Sequence, residues 1–347
     1  MKFLQSSFIN FLLCFLVLVL YACEQQPAHQ QSVILSGITM GTTYTVKIHA
    51  PKTKTDQATI STEINRLLDE INFQMSTYME TSTLSLFNQS STQEWVEIPF
   101  NLYTVIEEAL RINKLSHRAF DITIGPVVNL WGFGPIARSS TIPDESTIKE
   151  ALDKVGSEYI HLRKQPHAIK KDKPNLYIDL SAIAKGYAVD VIADYLDELS
   201  INNYMVEIGG EIKTKGINPE NKIWHIGIEK PLDDQRSVQT VITLNNTSMA
   251  TSGNYRNYFV ENGIRYSHTI NPSTGKPITH KLASVTVLHP SAITADAMAT
   301  ALLVLGPERG FDLALNENLA ALFIVRENDG FIEIMTPQFK HAVVNSE

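Results

Sequence analysis

In residues 177–190, YIDLSAIAKGYAVD, a lysine stands where a helix is expected to begin. Residues 176–180 alternate as a short strand. From Ser181 the pattern turns helical, with Val189, Ile192, Ala193, Leu196 and Leu199 at three- and four-residue steps. Lys185 then falls in or beside the first turn, where the helix dipole disfavours a cation by roughly 0.3–1 kcal/mol. A bound phosphate reverses the sign, because the lysine and the orphan N–H groups would both face it. A surface lysine that bends into solvent would account for the same residues. Asp179, just ahead of the turn, suits a helix cap or a ligand-binding carboxylate.

Two other constellations carry chemistry. Asp296 and Thr300 lie four apart in the helical stretch 292–305, so their side chains share a face and offer hard oxygens to Mg²⁺ or Ca²⁺. By spacing alone, an aspartate favoured by the helix dipole beside a threonine bonded to its own backbone explains them at least as well. In residues 266–277, YSHTINPSTGKP, His268 and Thr269 end a strand before a Pro- and Gly-marked turn. Such a loop can cradle an anion or present a proton-transfer histidine. A plain hairpin with an incidental histidine fits equally. Met40 and Tyr78 sit beside small residues and could flank a planar ring, whereas core packing better suits Trp131 and Phe133.

Familiar signatures fail. Residues 132–137, GFGPIA, imitate a dinucleotide fingerprint, but no helical pattern follows; Gly275-Lys276-Pro277 lacks the glycine and hydroxyl of a P-loop.

The elements that must position these residues are legible in outline. A strand is expected over 42–50 and amphipathic helices over 60–75 and after Pro99, then a polar loop over 136–144. Strands follow at 204–208, 223–229, 238–244, 264–270, 283–289, 320–325 and 331–335, the last two joined by an Asp329-Gly330 turn. Helices near 183–199 and 292–305 interrupt them. Hairpin-like succession favours an α+β fold over a doubly wound parallel sheet.

The chain has 347 residues, 44% of them hydrophobic, enough for one large core, and its net charge of −8 excludes a basic nucleic-acid footprint. Residues 1–22 read as a secretion signal, with an apolar run over 11–20. The only cysteines are Cys14 and Cys23, so the folded part has no disulfide and no thiolate metal site. Leu20-Tyr21-Ala22-Cys23 resembles the bacterial lipobox, with Cys23 as the lipid-carrying residue and Tyr21 a bulky departure. Residues 24–32 are polar and unpatterned. The expected organisation is a signal at 1–22, a tether at 23–32, one domain over 33–340 and a tail at 341–347.

Taken together the chain resembles the ApbE family, the FAD:protein FMN transferases, often bacterial lipoproteins. The resemblance is carried by TMGTTY (39–44), STYMETSTLSLFN (76–88), FDITIGPVVNLWGFG (120–134) and IDLSAIAKGYAVD (178–190). It continues through VEIGGEIKTKG (206–216), ATSGNYRNYF (250–259), RYSHTINPSTGKPI (265–278) and ADAMATALLVLG (295–306). It implies one α+β domain of two closely packed, T-fold-like halves with a flavin site between them. Met40, Tyr78, Ala119, Phe120, Asp121, Asp179, Lys185 and Ile270 match FAD contacts. Magnesium would be held by the Ala182 carbonyl and the side chains of Asp296 and Thr300. Asn254 and Asn271 depart from acids common in the family.

The implied reaction attaches FMN from FAD, with Mg²⁺, to a serine or threonine of client membrane redox subunits, of the Rnf or Nqr type, and releases AMP. Lys185 would neutralise charge, and His268 is a candidate for proton transfer. Alternatives are an FAD pyrophosphatase yielding FMN and AMP, and a non-catalytic FAD-storing lipoprotein. The expected location is a lipid anchor facing the periplasm, with the inner membrane favoured.

Overall fold

The computed structural model describes residues 30–51, 56–135, 142–233, 235, 237–328 and 330–344. The expected signal segment, Cys23, residues 136–141 of the polar loop and Asp329 of the last turn lie outside these residues. Among the described residues no helix is long and apolar enough to cross a membrane.

The chain opens with a hairpin of β1 (Gln30–Thr39) and β2 (Thr42–Pro51). Its Met40-Gly41 turn has φ of 48° and 71°, the left-handed pair whose twist matches the flanking strands. Next come α1 (Gln57–Met75), α2 (Thr83–Gln89), β3 (Val96–Glu97), α3 (Phe100–Leu115), α4 (Gly125–Leu130) and α5 (Glu145–Leu152). β4 (Ile160–Lys164) and β5 (His167–Lys171) join β3 in a small sheet. α6 (Ala184–Glu198) leads to β6 (Tyr204–Ile208), β7 (Glu211–Lys215), β8 (Trp224–Glu229), β9 (Val238–Leu244) and β10 (Ser248–Gly253). Two short hairpins follow, β11 (Tyr258–Glu261) with β12 (Ile264–Ser267) and β13 (Ile270–Asn271) with β14 (Lys276–Pro277). The chain closes with β15 (Leu282–His289), α7 (Ala292–Leu305), α8 (Pro307–Asn316), β16 (Ala320–Glu327), β17 (Gly330–Met335) and α9 (Pro337–Lys340).

An antiparallel sheet of eight strands, in the order β1-β2-β6-β7-β10-β15-β16-β17, organises the whole. Its two halves meet where β7 pairs with β10 through Lys213 with Ser248 and Ile212 with Met249. α6 and α7 lie side by side on one face over this seam, α6 on β6 and β7, α7 on β10 and β15. α7 is buried on nearly every side, as a largely apolar sequence interrupted only by Thr294, Asp296 and Thr300 dictates. Each buried leucine or methionine in it contributes roughly 1.5–3 kcal/mol. On the opposite face Met205, Ile212, Met249, Leu322 and Ile324 pack against Trp224, Ile226, Ile242 and Phe339, so the β8–β9 hairpin covers that side. The expected α+β architecture of two joined halves is therefore the observed one.

Four boundaries differ from expectation. Residues 176–180 are extended and alternate in burial, yet belong to no strand. Their backbone is held instead by Asn88, whose amide pairs with both the N–H and the carbonyl of Ile178, and by the Ile122 carbonyl, which accepts Asp179 N–H. The strand expected over 264–270 is divided: β12 ends at Ser267, His268 N–H adds one last bond to the Asn257 carbonyl of the same hairpin, and Ile270 starts β13. β1 begins at Gln30, inside the stretch read as tether, and Val343 bridges Ile242, so residues read as tail pack on β9.

Candidate active site

Tyr78, Asp179, Ser181 and Lys185 form a shared wall between two cavities. The first, about 450 Å³, reaches from Phe133 and Ile270 to Asp296 and Thr300 at the seam. Ala119, Phe120, Asp121, Ala182 and His268 also line it, so the fold gathers nearly all the expected positions from remote parts of the chain. Met40 alone of the set is elsewhere: it lines the second cavity, about 1050 Å³, with Phe73 and Met79.

Lys185 is the second residue of α6, and the helix has no side-chain cap of its own. Its Nζ lies 3.6 Å from Glu211 Oε1 and 4.0 Å from Asp296 Oδ2, and donates to the Ser181 carbonyl at 3.4 Å. Burial opposes the ammonium charge, but the Asp296 and Glu211 carboxylates outweigh it and hold the Lys185 pKa above its usual value. The lysine is therefore not a solvent-seeking surface residue. The first-turn N–H groups do meet an anion, but it is one of the protein's own: Gly186 N–H donates to Asp296 Oδ2 at 2.9 Å. Glycine is required there, since a Cβ would sit 2.4 Å from the Ala292 carbonyl and 2.7 Å from Asp296 Cβ.

Glu211 enters from β7, just after the Gly209-Gly210 turn with φ of 62° and 105°. A Cβ on Gly209 would lie 3.1 Å from Lys185 Cδ, so the turn lets the lysine past. The Glu211 side chain is 4% exposed, and its Oε2 has no hydrogen-bond partner. Burial raises its pKa, Lys185 opposes the rise, and Asp296 adds to it. One ammonium facing two carboxylates neutralises only one of them, so the Glu211 pKa is pushed up to about 8 and its proton masks a second negative charge that a bound cation would uncover. That charge, the unpartnered Oε2 and the neighbouring oxygens fit a hard divalent cation. The Thr300 hydroxyl, 2.9 Å from Ser252 Oγ, and the Ala182 carbonyl would complete such a donor set with Asp296. Among the described residues no group of three or more His, Cys, Asp or Glu forms a ready cation cage, so hydroxyl and carbonyl oxygens are needed.

Asp121 is buried and structural in its bonding. Its Oδ1 accepts from Thr123 N–H at 2.8 Å, Thr123 Oγ1 at 2.6 Å and Ser157 Oγ at 2.7 Å. Asn113 Nδ2 holds the Phe120 carbonyl at 2.7 Å, so the FDIT loop is fixed from behind. Asp179 Oδ1 accepts Ser181 N–H at 2.9 Å, a local turn ahead of α6 rather than a cap on it. Asn254 and Asn271 are likewise occupied: Asn254 receives Arg326 Nη1 at 2.9 Å, and Asn271 receives Ser273 N–H at 2.9 Å. Trp131 is core, as expected, with Nε1 donating to the Gly275 carbonyl at 2.8 Å.

His268 lies with Nδ1 3.1 Å from the Asn257 carbonyl, an acceptor, so Nδ1 carries the proton and Nε2 keeps its lone pair. Burial depresses its pKa, the Asn257 carbonyl pulls the other way, and Lys185 depresses it further. Near neutral pH the ring is an uncharged acceptor beside the cavity. Glu211 and Ser252 were not singled out from the sequence. The signal for Glu211 was the Gly-Gly turn ending a strand beside an acid; Ser252 had none.

The family model for ApbE matches residues 40–323. The chain belongs to the ApbE family. A Vibrio cholerae protein named FAD:protein FMN transferase is 49% identical over 331 residues, covering 95% of this chain and 98% of its own. One of the same name from Escherichia coli K12 is 37% identical over 351 residues, covering 99% of this chain and 100% of its own. The solved flavin transferase ApbE from Vibrio cholerae superposes with a TM-score of 0.84 at 47% identity, covering 90% of this chain and 100% of that one. The apo Pseudomonas stutzeri flavinyl transferase ApbE gives 0.83 at 36% identity, covering 90% and 97%. The fold of this ApbE chain is thus the family's fold along almost its whole length.

Proposed function

We propose that this ApbE-family chain transfers FMN from FAD to a serine or threonine hydroxyl of client redox proteins, with Mg²⁺, releasing AMP. One observation carries the reading: Lys185, Glu211, Asp296 and Thr300 line one cavity with every position matched to flavin contacts except Met40. Bound through Asp296, Thr300 and the Ala182 carbonyl, the cation would supply charge neutralisation at the diphosphate.

The chain's own residues do the rest. Lys185, kept charged by its two carboxylates, faces the same space and stabilises charge on the phosphoryl oxygens and the departing AMP. Asp296 already relieves its clash with the α6 dipole, so the lysine is held charged at the wall of the cavity. His268, neutral and with Nε2 free to accept, takes the proton of the attacking hydroxyl. Asp121 is unsuited to that task, because one of its oxygens already accepts three hydrogen bonds. Tyr78, exposed at the common wall, and Phe133, whose ring lies 6.3 Å from that of His268, offer aromatic surface to the isoalloxazine.

Cys23 would carry a lipid that anchors the enzyme to a membrane facing the periplasm. Seven residue steps separate it from Gln30 at the start of β1, a reach of at most about 25 Å. The Gln30 end of the β1–β2 hairpin would then lie near the bilayer, with Met40 and its cavity at the far end.

The test is incubation with FAD, Mg²⁺ and an acceptor protein bearing an exposed serine or threonine. Covalent flavin fluorescence on the acceptor supports transfer. Free FMN and AMP without labelled acceptor would support hydrolysis, and FAD recovered intact would leave binding alone.

A further inference from the structure

α6 and α7 both begin without a side-chain cap of their own. Each is capped by an aspartate of the other. Asp296 of α7 accepts Gly186 N–H of α6 at 2.9 Å, and Asp190 of α6 accepts Ile293 N–H of α7 at 3.0 Å. Ser291, at the α7 cap position, turns its hydroxyl to Asp190 Oδ2 at 3.0 Å instead of to its own helix. The remaining oxygen, Asp190 Oδ1, meets Lys213 Nζ of β7 at 2.6 Å.

We infer that Asp190 is a positioning residue that sets the register of α6, α7 and β7, and through it the meeting of Lys185, Asp296 and Glu211. It stands outside the cavity and touches no reacting group. Asp190, on α6, and its partners on β7 and at the start of α7 together span the three elements that supply the charged groups of the site. Lys213 is also one of the residues through which β7 pairs with β10, so Asp190 grips the seam where the two halves of the sheet join. Helix-end N–H groups need acceptors, and a cap from a neighbouring helix fixes the two axes relative to each other as well as satisfying the donor. The Asp197–Lys215 pair, at 3.0 Å, joins α6 to β7 further along but does not reach α7. It isolates what the link to α7 adds.

The functional consequence rests on the magnesium and FAD reading above, so the test has one arm free of both. Amide hydrogen exchange in the protein without additions is followed at Gly186, which no substitution alters directly. Asp190→Ala is expected to speed exchange at Gly186 at least tenfold, Ser291→Ala by less, and Lys215→Met not at all. Should Asp190→Ala not fold, Asp190→Asn and Ser291→Ala decide, each with a smaller acceleration at Gly186. Unchanged protection in the folded Asp190 variants, or equal loss in Lys215→Met, overturns the inference. A second arm measures Mn²⁺ affinity by the spectrum of the free ion. A wild-type protein that binds none sinks the metal reading and leaves the exchange result standing. Where the wild type binds, Asp190→Ala is expected to weaken Mn²⁺ at least tenfold while far-ultraviolet circular dichroism stays constant.

Discussion

Two charge clusters sit between α6 and β7, about 7.5 Å apart along the helix, and they are built in opposite ways. At Asp190 every link closes: Lys213 at 2.6 Å, and the Ser291 hydroxyl and Ile293 N–H each at 3.0 Å. At Lys185 the carboxylate oxygens stand off at 3.6 and 4.0 Å, and Glu211 Oε2 has no partner. Proteins rarely leave a buried carboxylate oxygen unmatched, because it costs the desolvation of the group. The closed cluster holds elements in register. The open one holds charge ready for a ligand that brings its own donors or positive charge.

The largest effect expected from breaking this contrast is at Asp296. Asp296→Asn retains an oxygen for Gly186 N–H, so the fold should survive while the charge is lost. FMN transfer, read as covalent flavin fluorescence on an acceptor protein, should fall on the order of 10³-fold. A fall of less than tenfold would place Asp296 with the structural cluster instead.

His268 comes next. Its folded pKa is depressed by burial, so between that value and about 6.5 the unfolded chain binds the proton and the folded one does not. Its contribution to stability is therefore present above about pH 6.5 and is lost as pH falls through the folded pKa. The same deprotonation sets the acid limb of the transfer rate, which should level off below about pH 6.5. His268→Asn should slow transfer by roughly 10²-fold and erase that limb. A limb that persists in the variant would assign it to another group.

Gly186→Ala tests how closely the two helices must approach. The new Cβ meets the Ala292 carbonyl, backbone that cannot swing aside, and should destabilise the fold by about 1–3 kcal/mol in urea unfolding. A neutral result would show slack between α6 and α7 and weaken the case that their register matters.

Much of this was legible in the residues, and the gaps have physical causes. α7 is bounded as its apolar run and Gly306-Pro307 require, and the pair Asp296–Thr300 falls on one face as the helical period dictates. The segment 176–180 misled because alternation reports burial, not pairing. Leu176, Ile178 and Leu180 are buried in turn, but Asn88 and Ile122 hold the backbone that a strand would have offered to a neighbour. Local pattern could not reveal Glu211, whose importance depends on Lys185 and Asp296 arriving from other segments. Nor could local pattern reveal how Asp121 is held, since one of its donors, Ser157, lies 36 residues away.

The smallest expected effect is the sharpest test of the comparison. Glu211→Gln replaces a carboxyl that, without a bound cation, burial already holds toward its protonated form. The amide is cheaper to bury than the carboxylate, and Lys185 keeps Asp296 as its counter-charge. Stability of the protein free of added metal should therefore change by no more than about 0.5 kcal/mol, or rise, although transfer falls. Asp190→Asn, which also trades a carboxylate for an amide, should lose about 1–3 kcal/mol because Lys213 is left without its charged partner. Thermal unfolding of the two variants in one buffer makes the comparison direct. Equal losses would mean that Glu211 is as structural as Asp190, and that the open cluster is a loosely drawn copy of the closed one.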